Sequence, residues 1–515
     1  TPAPILYKMF DFGTDLQKLH PEYGPVGSIH WTTWERINGA PDSYNWDIID
    51  SKLALEAPLK VTLPDGREIP KPVVLQVFAH ISSAPNWGAE FYDATPRWVY
   101  DRIDRQKPDD KRPVVGGRPV GHTLTGCGKT AVLPMYDNQT WREAYYKMVG
   151  ALGERYNNHP QVTAVVICTG LDGETQVVKD WSCQWNSLLD QQAPDVRYSF
   201  AKFINEAMQV YHKAFPDKPL FINNAPGGSG MRKATSEYAA SFEPPIGLKH
   251  SGLWVDLDSH KGYGNFVGSW DMIDAYSMTL PIWLESVFGL GSKEHRYWTY
   301  MAGLHYHPDA IDLHPEFLTQ SEPEWLRFVV EHLGVTIDNT PDVWTVLRDA
   351  EFPRVDWGVG GTSGHPGDWT FWLYRREDAP QSATKRLMRE EMPAAREHVY
   401  SRQARSTRQD DNNIFMSFDI DDAYPYVAQK PIKAGGGVHY LVHVTILNTG
   451  DDTFSLQYRD WSGGIVEQTR RKGLELGPVD DWVEVTFVVE DGYFDNNMPG
   501  NTDLRISCNR DGDEI

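Results

Sequence analysis

The sequence is poor in cysteine and in positive charge, and it contains no long apolar run. Its four cysteines are too few for a disulfide scaffold. No apolar stretch approaches the roughly 20 residues that a transmembrane helix needs. Lys and Arg number 49 against 71 Asp and Glu, which gives a net charge of −22. A field of this sign repels phosphate groups, and it argues against nucleic acid or an anionic membrane surface as a partner.

Apolar and aromatic residues are abundant by contrast. Hydrophobic residues make up 40% of the 515 positions, and there are 19 Trp and 24 Tyr. A chain of this length exceeds the usual single core, so we expect one large domain and a smaller one. The aromatic side chains are compatible with core packing and with platforms for sugar rings, and composition favours neither.

Strand-like runs alternate with helical patterns through about residue 395, which is typical of a parallel α/β sheet. Several runs are continuously apolar, as expected for strands covered on both faces. Eight such units predict a closed (β/α)₈ TIM barrel. The predicted strands lie near 5–12 and at 26–34, 72–80, 162–170, 219–225, 251–257, 280–286 and 302–307.

The domain organisation follows from a change of character near residue 400. We expect the barrel over residues 1–400, a polar linker at 401–413, and an all-β sandwich at 414–515, where short runs alternate inward and outward. A long segment rich in Pro, Gly and Arg, 81–137, follows the third strand. Loops of this length in a compact domain are usually functional.

Two glutamates lie where barrel enzymes carry their active sites, at the carboxyl ends of strands. Glu174 follows the fourth predicted strand and Glu285 ends the seventh. Glycoside hydrolysis uses such a pair: one carboxyl protonates the leaving oxygen, and the other attacks the anomeric carbon or activates water. Either residue alone is also compatible with a structural ion pair. If the mechanism is retaining, we expect the two carboxylates to face one cavity at about 5–5.5 Å.

The order of these elements resembles clan A glycoside hydrolases. The segment WTTWERINGAPDSYNWDIID, residues 31–50, resembles the early part of family 42 β-galactosidases. The resemblance implies a cofactor-free enzyme that cleaves β-linked oligo- or polysaccharide with retention, with Glu174 as acid/base and Glu285 as nucleophile. Clan members usually have Asn before the acid/base, where it contacts the sugar's 2-hydroxyl. Here that position is Gly173, and Asp172 is the alternative acid. The C-terminal segment resembles jelly-roll modules appended to glycosidases.

Polar and aromatic side chains near the other strand ends are predicted to line a sugar-binding cleft. Aromatic faces stack on pyranose rings, and short polar groups bond sugar hydroxyls. Each residue also has an ordinary structural explanation. The candidates are Trp31, Trp34, His80, Trp87, Asn223, Asn224, Trp254, Asp256, Trp283 and His305.

Two other classes of protein remain open on these residues. The first is a non-catalytic carbohydrate-binding barrel, since the usual Asn is missing. The second is a metal-dependent hydrolase, because His305 and His307, one residue apart on a predicted strand, would point the same way and could bind zinc with Asp256.

The cysteines and the start of the sequence bear on the compartment. Cys127 and Cys183 lie in the loops after adjacent strands, where they form either a disulfide or two free thiols, whereas Cys168 is expected to be buried and unpaired in strand four. The start at Thr1 fits a processed secretory precursor or an arbitrary first residue. Asn138-Gln139-Thr140 matches a glycosylation acceptor. We expect a secreted or periplasmic protein.

Overall fold

The computed structural model divides the chain into two compact units. One comprises Thr1–Leu290 with Tyr306–Gly334, and the other comprises Gly291–His305 with Val335–Ile515. Within them, the structure describes residues 5–9, 26–62, 66–82, 88–109, 112–224, 229–253, 270–286, 293–313, 322–347, 368–386 and 404–511. No helix among these ranges is both long and apolar enough to cross a bilayer.

The first unit contains a closed barrel of eight parallel strands, as the sequence predicts. In space each strand lies beside its neighbour in the sequence, and the eighth closes on the first. The strands are β1 (Ile5–Met9), β2 (Val26–Thr33), β3 (Val73–Phe78), β4 (Val162–Ile167), β5 (Leu220–Asn223), β6 (Gly247–Leu253), β7 (Ile282–Ser286) and β8 (Ala310–Leu313). Their ladders are parallel throughout, so all eight carboxyl ends lie at one mouth.

Two of the predicted strands are wrong in position. β6 begins at Gly247, four residues before the predicted start, and the eighth strand is Ala310–Leu313 rather than 302–307. Residues 302–304 instead end the helix Lys293–Leu304. Trp298, Met301 and Ala302 are buried at helical spacing in that helix. A short apolar run does not distinguish a strand from a buried helix, which explains the error.

Helices connect the barrel strands. The helix Gln139–Tyr156 begins after Asn138, whose side chain accepts the Trp141 N–H at 3.1 Å and so caps the helix. The described helices of this unit are Trp34–Ile37, Asp47–Glu56, Arg97–Gln106, Gln139–Tyr156, Trp185–Gln192, Pro194–Ala214, Ser229–Ala240, Trp270–Tyr276 and Pro323–His332.

The long segment after β3 is structured in its described part. It contains the helix Arg97–Gln106 and the hairpin His122–Gly126 with Lys129–Leu133. Shorter pairs join His80–Ile81 to Tyr92–Asp93 and Val114–Val115 to Arg118–Pro119, and Lys60–Thr62 pairs with Glu68–Pro70 before β3.

A disulfide between Cys127 and Cys183 ties this segment to the loop after β4. Their Cα atoms are 5.9 Å apart, within the range that a disulfide spans, so the paired alternative is confirmed. Cys168 is buried and unpaired, as expected. The disulfide joins two of the loops that build the mouth of the barrel.

Replacing both Cys127 and Cys183 by serine should lower the free energy of unfolding by about 2–4 kcal/mol, since a cross-link over 56 residues restricts the unfolded chain. Chemical denaturation checks the value. Dithiothreitol should destabilise the wild type by a similar amount and leave the double variant unchanged. An equal effect of the reductant on both proteins would contradict this role.

The second unit contains the predicted all-β sandwich. One sheet has five antiparallel strands, and the other pairs Tyr440–Leu447 with Trp482–Val489. In spatial order the five are Leu373–Arg375, Phe415–Ile420, Leu504–Ser507, Thr453–Arg459 and Ile465–Arg471. Phe454 and Leu456 from the first sheet and Phe487 from the second are fully buried in one apolar cluster, which places the core between the sheets.

The division of the structure differs from the predicted boundaries at 400 and 413. The edge strand Leu373–Arg375 lies inside the predicted barrel domain but pairs with Phe415–Ile420. Inside the predicted linker, Arg405–Thr407 pairs with Thr384–Arg386. A further antiparallel pair is Trp344–Val346 with Trp369–Phe371. Such three-residue strands carry too little hydrophobic pattern to be recognised in the sequence.

Candidate active site

Glu174 is positioned by a tight turn that follows β4. The Gly170 N–H donates to the Glu174 carbonyl at 2.8 Å, and the Glu174 N–H donates to the Leu171 carbonyl at 3.1 Å. Glu174 also forms a parallel bridge with Asn223 at the end of β5, where the Thr175 N–H donates to the Asn223 carbonyl at 3.0 Å. The turn therefore fixes Glu174 at the carboxyl end of the barrel.

The Glu174 carboxyl is buried and has two polar partners. The Gln176 amide donates to Oε2, and the Lys179 ammonium lies 3.1 Å from the same oxygen. Burial raises the pKa of Glu174 above its usual range, the neighbouring Asp172 adds to the rise, and Lys179 opposes it. A carboxyl that stays protonated at higher pH is suited to donating a proton.

Asp172, the alternative acid, is held by other groups on both of its oxygens. Oδ1 accepts the Ser82 N–H at 2.7 Å, and Oδ2 accepts from the Lys179 ammonium at 2.8 Å. Its backbone is left-handed, with φ of 55°. Asp172 therefore ties the loop after β3 to Lys179.

Gly173 occupies a position where a side chain would be strained. Its φ is +79°, and a Cβ there would meet Phe78 Cε1 at 2.7 Å and Cys168 Sγ at 3.0 Å. Both the backbone conformation and the space therefore favour glycine over Asn. The departure from the clan A pattern is thus built into the turn, and recognition of a 2-hydroxyl would require another residue.

Glu285 ends β7 and has two donors on one oxygen. The Lys249 ammonium contacts Oε2, and the Ser251 hydroxyl donates to the same atom at 2.9 Å. The Glu285 side chain is 17% exposed, so it is reachable from the mouth. These donors hold the carboxylate in place and balance its charge.

Lys249 is a buried cation inside the barrel. It projects from β6 and lies 3.3 Å from Asp312 on β8 in addition to its contact with Glu285. Burial opposes its charge, but Asp312 and Glu285 outweigh that effect and raise the pKa of Lys249. An amine held protonated in this way is not a nucleophile.

The third member of this cluster, Asp312, is 1% exposed. Burial raises its pKa well above the usual range, and the charge of Glu285 adds to the rise, although Lys249 opposes it. Lys249 therefore contacts both carboxyl groups, and of the two Glu285 is the more exposed.

A continuous set of contacts joins the two glutamates. The Asn223 amide donates to the Ser251 hydroxyl at 2.8 Å, and Ser251 donates to Glu285. Asn223 is in turn the backbone neighbour of Glu174. Asn223 thus contacts both Ser251 on β6 and the turn that holds Glu174, and its predicted contact with substrate stays a prediction.

Trp31 also lies where a ligand could meet it. It is only partly buried near the end of β2, its ring centre is 5.8 Å from that of Phe78, and it packs on the apolar cluster inside the barrel. Its predicted role in substrate stacking stays a prediction.

Two of the other tryptophans are core residues, and their predicted stacking role is wrong. Trp34 is fully buried, packs edge-on against Trp141, and donates to Asn38 at 3.1 Å. Trp283 is fully buried inside the barrel against Phe221. Neither ring has a face open to a sugar.

The polar candidates His80 and Asn224 are buried as well. His80 Nε2 lies 3.0 Å from the Val132 carbonyl, and burial lowers the pKa of His80 to about 4. The Asn224 amide donates to the Ser236 hydroxyl at 2.7 Å. Both side chains are buried and form hydrogen bonds with neighbouring elements. Their predicted contact with substrate is therefore wrong.

The structure does not bring His305 to a strand end. It follows the helix Lys293–Leu304, and the Thr370 N–H donates to its Nδ1 at 3.1 Å. Since His305 and His307 do not lie on a strand, the geometric premise of the metal alternative is wrong. In the described ranges, no three His, Cys, Asp or Glu side chains form a metal-binding group. Trp87, Trp254 and Asp256 lie outside the described residues.

Sequence reasoning missed the cations and Asp312. Lys249 and Asp312 lie outside the predicted bounds of the sixth and eighth strands, and nothing in the spacing marked Lys179 as a partner of Glu174. One signal was present: a lysine beside an apolar strand is a charge that needs a buried partner.

No family model and no curated protein matches the sequence. Among solved structures, the chain is similar to a β-galactosidase from the psychrophilic Marinomonas ef1, with a TM-score of 0.35 and 12% identity. That alignment covers 64% of this chain and 59% of the β-galactosidase, so the chain spans less than two thirds of that protein.

Two other solved structures are similar at the same level. Endo-glycoceramidase II from Rhodococcus sp. has a TM-score of 0.35 and 12% identity over 95% of this chain and 98% of its own. A GH5_18 structure from Bifidobacterium longum subsp. infantis has a TM-score of 0.37 and 11% identity over 65% and 80%.

Proposed function

We propose that this protein is a retaining glycoside hydrolase that acts on β-linked glycans, with Glu174 as acid/base and Glu285 as nucleophile. The observation that carries the proposal is the pairing of unlike carboxyls at one barrel mouth. Glu174 is buried with a raised pKa, whereas Glu285 is more exposed and paired with Lys249. When the environments of two carboxyl groups differ in this way, the group with the raised pKa is suited to act as the acid and the other as the base or nucleophile.

The chemistry follows in two steps. Glu174 donates its proton to the glycosidic oxygen while Glu285 attacks the anomeric carbon, so that the bond to the leaving group breaks and a glycosyl-enzyme ester forms. Glu174, now a carboxylate, takes a proton from water, and the water oxygen attacks the same carbon and releases Glu285. Both groups return to their starting states.

Hydrolysis of a panel of β-linked oligosaccharides, with the configuration of the first-formed product read by NMR, tests the proposal. We expect turnover with retention and no dependence on added metal. Binding without turnover would support a carbohydrate-binding barrel instead. Turnover with inversion would contradict the role given to Glu285.

The pH dependence of kcat/KM should depend on Lys179. Glu174 acts when protonated, so activity falls as pH rises through its pKa. Lys179 opposes the raised pKa of Glu174, and Lys179→Met should therefore move the alkaline limb of the profile to higher pH. Lys202→Met, which removes an exposed lysine paired with Glu206, is the matched control and should leave the limb in place. A shift to lower pH would contradict the assignment of Glu174.

We also propose a secreted or periplasmic location. The Cys127–Cys183 disulfide supports it, since such bonds persist mainly in oxidising compartments. Fractionation of the native host followed by thiol trapping tests this. A cytosolic pool with both thiols free would contradict it.

A further inference from the structure

Trp181 is an exposed tryptophan near Glu174 that has no role in the proposed reaction. It lies in the loop after β4, seven residues beyond Glu174, and is 69% exposed. Single exposed apolar residues are common on protein surfaces, so exposure alone carries no argument. The position of Trp181 relative to the candidate acid is what sets it apart.

The loop around Trp181 is fixed by its neighbours on both sides. Asp180 accepts the Asn186 N–H at 2.7 Å, and the Ser182 hydroxyl donates to Glu90 at 3.0 Å. Cys183 is tied to the segment after β3 by the disulfide. Trp181 is therefore presented on a rigid support, which reduces the entropy lost when a ligand binds.

Lys179 connects Trp181 to the candidate acid. Its ammonium lies 4.8 Å from the centre of the indole ring and 3.1 Å from Glu174 Oε2. The ring centre and the carboxyl are thus no farther apart than the sum of these two contacts, a span comparable to one sugar unit. Since the ammonium lies over one face of the indole, the exposed surface includes the opposite face.

We infer that Trp181 forms a sugar-binding subsite on the leaving-group side of the cleavage point. This inference rests on the proposed function, because it takes Glu174 as the group that meets the leaving oxygen. The open indole face would stack on the CH face of the first sugar of the leaving group. The disulfide and the bonds of Asp180 and Ser182 keep that face in place beside the acid.

Isothermal titration calorimetry on the Glu285→Gln chain tests the subsite, with cellotetraose, β-1,4-galactotetraose, glucose and galactose as probes. Trp181→Ala should weaken binding of the preferred tetrasaccharide by about tenfold, the effect of losing one stacked ring. Trp181→Phe should weaken this binding less, because the phenylalanine ring keeps an aromatic face. Monosaccharide binding should change by less than about twofold.

Tyr198→Ala is the matched control, since Tyr198 is an aromatic residue of the same unit with 79% exposure. It should leave every Kd unchanged. Unchanged tetrasaccharide binding by Trp181→Ala, or no binding of any probe, would overturn the subsite. If a tetrasaccharide binds through Trp181 but the wild type does not cleave it, the subsite stands and the proposed hydrolase activity fails.

Discussion

Replacing Glu174 by alanine should lower kcat/KM for a natural oligosaccharide by about 10²–10⁴-fold, the usual contribution of a general acid. The kcat/KM for aryl glycosides should fall far less, because their good leaving groups depart without a proton in the first step. Glu285→Ala should lower both activities by at least about 10⁴-fold, since it removes the attacking group. Steady-state kinetics on the two substrate classes separates the roles.

Azide provides a second readout for the same variants. In Glu174→Ala it should intercept the glycosyl-enzyme and give a glycosyl azide of retained configuration, whereas in Glu285→Ala it should attack from the vacated face and give the inverted product. Glu143→Ala removes a glutamate on the exposed face of helix Gln139–Tyr156 and should change neither activity. Equal losses on both substrates for Glu174→Ala, without azide rescue, would point to Asp172 as the acid.

Lys249→Met should destabilise the barrel by about 3–5 kcal/mol, because removing one partner of a buried ion pair leaves the other charge uncompensated. It should also lower kcat, since Glu285 loses the ammonium that contacts its Oε2 and helps to hold it in place. Urea denaturation and steady-state kinetics measure the two effects.

The double variant Lys249→Met with Asp312→Leu separates stability from the positioning of Glu285. Replacing a buried pair by apolar side chains of similar volume is often neutral, so the double variant should regain much of the lost stability. It should not restore kcat, because Glu285 still lacks its contact with the ammonium. An unchanged kcat in both variants would show that Lys249 does not position Glu285.

The barrel was predictable from strands with unbroken apolar patterns. β3 and β4 lie within the predicted ranges because Val, Ile and Leu fill most of their positions on both faces. β6 and β8 each contain a charged residue, Lys249 and Asp312, in an otherwise largely apolar segment, and the apolar residues 302–304 belong to a helix. Residues that break a local pattern are commonly the functional ones, and here they form the cluster around Glu285.

The site was predictable only in part for a related reason. Placement at strand ends was enough to select Glu174, Glu285 and Asn223 as candidates. It could not decide which strand-end side chains turn into the packed interior, as Trp34 and His80 do. That choice depends on residues distant in sequence, such as Trp141 and Val132, which no local pattern specifies.

The most direct test of the two-glutamate account is a trapped intermediate. The chain is incubated with the 2-deoxy-2-fluoro glycosyl fluoride of the sugar it hydrolyses, digested, and its peptides are weighed by mass spectrometry. The account predicts one glycosyl group per molecule, on the peptide that contains Glu285 and on that residue. A label on Glu174 or Asp172, or no label together with an inverted product, would contradict it.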